Sequence, residues 1–70
     1  MKETRTITLR GLKPDVLMRT LDCEINELRT ESEEKGIILE VKFSRQLVPI
    51  PGEHVTSYLL FQELELTYPD

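Results

Sequence analysis

Ser57-Tyr-Leu-Leu-Phe-Gln-Glu-Leu-Glu-Leu-Thr-Tyr68 is the stretch on which the reading of this chain turns. It is rich in leucine and aromatics, holds no glycine or proline, and stops at Pro69. Such a run predicts a strand long enough to be the central one of a small sheet. Tyr58, Leu60, Leu64, Leu66 and Tyr68 share one parity, with Gln62 between them, and Leu59 and Phe61 share the other with Glu63, Glu65 and Thr67. Both parities are apolar over 58–61. Either both faces are covered there or a bulge shifts the register.

Upstream of this strand, Val48-Pro-Ile-Pro-Gly52 reads as an exposed, extended loop, because two prolines so close exclude a central strand. Before it, Ile37 to Arg45 alternates: Ile37, Leu39, Val41 and Phe43 face a core, while Ile38, Glu40, Lys42 and Ser44 face out. A helix precedes that strand. Proline suits the first helical position, so Lys13-Pro14-Asp15 marks its start, with Lys13 a poor N-cap. Leu17, Met18, Leu21, Ile25 and Leu28 form one apolar stripe at helical spacing. Asp15–Arg19 and Glu31–Lys35 are pairs four apart in the favourable order. Gly36 can take the left-handed conformation that closes a helix. The first element, Thr4 to Arg10, alternates as a half-buried strand, with Ile7 and Leu9 inward and Thr6, Thr8 and Arg10 outward.

These readings predict an α+β fold: a single β-α-β-β domain over residues 1–70, with one helix on a three-stranded mixed sheet. A right-handed crossover makes strands one and two parallel. Strand three runs antiparallel to strand two. The order 1-3-2 is favoured because the most apolar strand belongs in the middle; 1-2-3 is the alternative.

A chain of 70 residues has a thin margin of stability and usually needs a staple. Its single cysteine, Cys23, excludes an internal disulfide and points to a reducing compartment. No His/Cys cluster suits zinc. Self-association is the staple that remains.

The net charge of -4 is unevenly spread. Residues 1–14 hold four cations against Glu3, whereas 15–35 hold seven acids against three cations and 36–70 five acids against two. An acidic chain is poorly suited to duplex nucleic acid. No apolar run suits a membrane span, and the charged start Met-Lys-Glu-Thr-Arg does not read as a signal peptide. The expectation is a soluble, cytoplasmic protein.

Little in the sequence suggests chemistry. Cys23, flanked by Asp22 and Glu24, lacks a feature that would lower its pKa and reads as a small, half-buried packing residue. His54 shows neither an orienting partner nor a nucleophile. Glu31, Glu33 and Glu34 fan around a helix end, without the glycine turn of a calcium loop. Tyr58 and Tyr68 carry the parity of the core leucines. Gly11, Gly36 and Gly52 are isolated, so no phosphate-cradling loop is present. The chain is therefore read as a non-enzyme without catalytic residues, metal or cofactor.

Two surface features remain. An apolar surplus (Leu47, Val48, Ile50, Val55, Leu59 and Phe61) exceeds what one helix can cover. It is either an interface or a mini-core under the Pro-rich loop, and interface is favoured, with Val48, Ile50, Val55, Leu59 and Phe61 as its residues. The second is a basic stripe on the open sheet face: Arg10 and Lys42, with Arg5 and Arg45 near strand ends. A solvated polar face is its ordinary reading; a pocket for an anionic small ligand or nucleotide at a subunit interface is the sharper one.

The strand–helix–strand–strand plan, the Lys35-Gly36 break and the closing Leu-Phe-Gln-Glu-Leu-Glu-Leu-Thr-Tyr strand resemble short bacterial and phage proteins described as sporulation proteins. The resemblance spans most of the chain, rests on pattern rather than a diagnostic motif, and carries over no site residues. It implies a small, non-catalytic, mobile-element accessory protein. The leading expectation is thus a homo-oligomeric interaction module that binds or inhibits a partner, such as a host protein, through a sheet edge and an apolar patch. The alternative is a homo-oligomer that sequesters an anionic small ligand or nucleotide.

Overall fold

A computed structural model describes residues 1–42 and 44–70 of the chain. Five elements follow in order: β1 (Lys2–Gly11), α1 (Pro14–Lys35), β2 (Ile38–Val41), β3 (Gln46–Pro51) and β4 (Thr56–Thr67). The fold is α+β, one helix with a four-stranded sheet. β4 is its centre, pairing β1 along one side and both β2 and β3 along the other. In three-strand terms this is the favoured order 1-3-2.

Two expectations are corrected. Every pairing is antiparallel, because the parallel strands β1 and β2 never meet: β4 lies between them. The Pro-rich segment is also a strand rather than a loop, with Gln46 to Pro51 in register with Phe61 to Thr56. Backbone N–H groups alternate sides along a strand, so prolines two apart remove donors from one edge only. On an outer strand that edge can face solvent.

The helix obeys its local signals. Pro14 occupies its first turn, Lys13 is the N-cap and makes no side-chain capping bond, and Gly36 closes it at φ 70°. Leu17, Leu21 and Ile25 are buried against Leu60 and Leu64, with Met18, Leu28, Leu39, Val41 and Tyr58 packed around them. Gly11 permits a close approach at the β1–α1 corner, where a Cβ would stand 3.1 Å from Leu17 Cδ2. Asp15–Arg19 and Glu31–Lys35 form the predicted ion pairs. Cys23 is exposed rather than half-buried, because it lies on the flank of the helix away from the leucine stripe. The expected inward position of Phe43 falls outside the described residues.

A two-residue excess separates β2 from β3. The Val41–Leu64 pair and the Gln46–Phe61 pair enclose two residues of β4 but four of the other strand. Over 58–61 the register of β4 is unbroken against both β1 and β3, so the register-shifting bulge offered as one alternative there is not found; the excess lies opposite Gln62 and Glu63. Gln62, 1% exposed, fills the place opposite. Its Nε2 donates to the carbonyl oxygens of Lys42 at 2.6 Å and Glu63 at 3.2 Å.

The molecule is long, 51 × 18 × 15 Å, with a radius of gyration of 14.2 Å, against about 11 Å for a compact chain of this length. Its β3–β4 hairpin accounts for the shape. β1 ends where Gly11 meets Tyr58, while β3 and β4 pair on to Pro51 and Thr56. That end of the ribbon lies beyond the β1–α1 corner.

Candidate functional site

Alternation along β4 sorts the surface. Leu60, Gln62, Leu64 and Leu66 are buried on the helix side, so Leu59, Phe61, Glu63, Glu65 and Thr67 stand on the uncovered face. Cross-strand partners share a face. Leu59 pairs with Val48 on one side and Arg10 on the other; Phe61 pairs with Gln46 and Thr8; Ile50 pairs with Ser57. Val48, Ile50, Leu59 and Phe61 consequently form one continuous apolar patch on the open face, near the projecting end. The Pro-rich segment lies in the sheet and does not fold over them. Val48 is 40% exposed and the other three are partly buried. Val55, 61% exposed, sits at the turn between β3 and β4. Leu47 pairs with buried Leu60 and so belongs to the opposite face.

The four cations do not converge. Arg5 pairs with Leu64, which places it on the helix side, and its guanidinium meets Glu3 at 3.2 Å. Arg45 also turns to the helix side: its Nε donates to Gln62 Oε1 at 2.8 Å and its Nη2 to Asp22 Oδ1 at 3.1 Å. Lys42 is engaged by Glu40 at 3.3 Å and Glu65 at 3.5 Å, and its pKa is raised, chiefly by the Glu40 bond. Lys2 meets Glu65 from the other side at 3.5 Å. Arg10 has no ion-pair partner among the described residues. The stripe read from the sequence is thus split by alternation and largely neutralised by acids. It offers no convergent set for a small anion.

Residues suited to chemistry are dispersed. Cys23 lies exposed on α1 and His54 exposed in the β3–β4 turn. At the opposite end, the Tyr68 hydroxyl donates to Glu3, tying the end of the β4 segment to β1. That bond, with help from Arg5, holds the Glu3 carboxyl below its ordinary pKa; the same bond, with burial and the Glu3 charge, raises the pKa of the Tyr68 phenol.

Two features were not singled out from the sequence. One is the chain Gln62–Arg45–Asp22, whose signal is a lone glutamine within a row of core leucines. The other is a groove of about 410 Å³ between the end of β1 and the start of α1. Leu12 and Val16 contribute to it, 61% and 42% exposed; Leu12 lies between the two periodic segments and Val16 one place off the helix stripe, so neither pattern marks them. No helix among the described residues is long and apolar enough to cross a membrane. Compared with protein-family models, curated proteins and solved structures, the chain matches none.

Proposed function

We propose that this chain is a non-enzymatic protein-interaction module that associates with a second copy of itself through the uncovered face of its sheet, and with other proteins through a sheet edge. The observation that carries the reading is the gathering of Val48, Ile50, Leu59 and Phe61 into one patch on a face that no helix covers. Patches of this kind mark interfaces more often than idle surface. Three of the four are already partly buried in the single chain, so covering what remains contributes on the order of a few kcal/mol, less than the ~1.5–3 kcal/mol per side chain of full burial, before the cost of association is subtracted. A two-fold contact, with the same patch on both copies, is the commonest arrangement.

Light scattering at low micromolar concentration tests the self-association. The expected mass is about twice the 8.2 kDa of one chain. Phe61→Glu combined with Leu59→Lys should give a folded species of half that mass. A parent mass of 8.2 kDa would overturn the reading of this face.

A further inference from the structure

The two long sides of the sheet are managed differently. The side made by β2 and β3 is broken by the two-residue excess and carries Pro49 and Pro51. Both are devices that blunt an edge against unwanted pairing. β1 has neither. It offers ten residues, Lys2 to Gly11, without proline, and is hydrogen-bonded on one side only.

Beside the far end of β1 lies the groove between strand and helix, walled by Leu9, Leu12, Val16 and Leu17. Arg10 and Lys13 stand at its rim, and neither has an ion-pair partner among the described residues. The segment 1–14 carries four cations against one acid in an otherwise acidic chain.

Resting on the reading of the chain as an interaction module, we infer that the free edge of β1 takes up an extended, acidic segment of a partner protein as an added strand. The segment seats one large apolar side chain in the β1–α1 groove and sets carboxylates against Arg10 and Lys13. Main-chain bonds along β1 would supply affinity, and the groove and the two cations selectivity. A second copy of this chain is the poorer occupant. Two β1 strands paired antiparallel about Thr6 would set Lys2 opposite Arg10 twice over, and like charges directly opposed destabilise a sheet.

The probe is a fluorescent heptapeptide, acetyl-Glu-Phe-Glu-Val-Thr-Val-Thr-amide. Paired antiparallel to β1, it sets phenylalanine at the groove and both acids beside Arg10 and Lys13. Full-length protein is titrated, both the parent and Phe61→Glu, so that self-association through the open face does not confuse the result. Saturable anisotropy is expected, with slowed hydrogen exchange at alternate β1 amides. N-methylation of alternate peptide bonds should abolish binding. Lysine for glutamate in the peptide, or Arg10→Glu with Lys13→Glu in the protein, should each weaken it by about tenfold or more.

Unchanged β1 exchange at millimolar peptide would overturn the inference, as would binding indifferent to N-methylation or charge. Concentration-dependent protection of β1 without peptide would also overturn it and assign the edge to a second copy. A monomeric parent whose β1 still binds the peptide supports this inference while removing the open-face dimer. A dimeric parent whose β1 ignores the peptide does the reverse.

Discussion

Gln62 is the residue on which the join between helix and sheet depends. It satisfies the Lys42 carbonyl across the gap between β2 and β3, and it accepts from Arg45, which reaches on to Asp22 of the helix. Gln62→Ala would empty a buried side-chain site and strip a partner from the Lys42 carbonyl and from Arg45, in bonds that are partly buried. The expected loss is about 1–3 kcal/mol, more than truncation of an exposed side chain, because a buried group left without a partner bears its full desolvation cost. A urea melt that coincides with the parent's would refute this. The sequence showed Gln62 as a polar interruption among core leucines and went no further. Its role depends on two extra residues in a strand some twenty positions earlier, which no local pattern reveals. Arg45 misled for a related reason: proximity to a strand end suggested the open face, while the irregular segment before β3 turns it to the helix side.

At the scale of elements, legibility follows how local the signal is. The bounds of α1 rest on Pro14, the apolar stripe and Gly36, all within the helix, and the structure keeps them. β3 was missed because proline was judged without knowledge of which edge it would occupy. Its pairing with β4 is a non-local fact. The cations divided for the same reason: membership of a strand was readable, but partners and acids came from other elements.

The tie between β1 and the end of β4 yields a pH prediction. Glu3 has a folded pKa below its unfolded value, so its contribution is present above the unfolded carboxylate range and is lost as pH falls through the folded value. Tyr68 has a raised folded pKa, so its contribution is present below the unfolded phenol range and is lost as pH rises through the folded value. Tyr68→Phe should lower the melting temperature most in the neutral range, where both contributions are present, and so flatten the parent's fall toward either pH extreme. Melting curves from pH 2 to pH 11 check it; parallel parent and variant profiles would count against the tie.

At the scale of the whole molecule, a core of six buried apolar residues among those described leaves little reserve. Leu21 is wholly buried at its centre. Leu21→Ala should cost about 2–5 kcal/mol, comparable with the stability of a small domain, and leave no cooperative melt. A cooperative transition near the parent's would mean that the helix does not seat on the sheet through this stripe. The strand order was readable because apolarity ranks strands by depth, and the most apolar one is central. The overhang of the β3–β4 hairpin was not, since it depends on how far β4 outruns its neighbours.

The central position of β4 has a consequence for the order in which the fold can assemble. Every strand pairs with β4, and β4 is the last of them in sequence. As the chain leaves the ribosome, α1 can coil on its own and β3 can meet β4 as a local hairpin. β1 must wait: even its nearest pair joins Gly11 to Tyr58, and its farthest joins Lys2 to Thr67. Contacts this distant in sequence slow folding, because the intervening loop closes before any reward is collected. Sheet formation therefore waits for β4 to emerge, and until then β1 has two unpaired edges, not one.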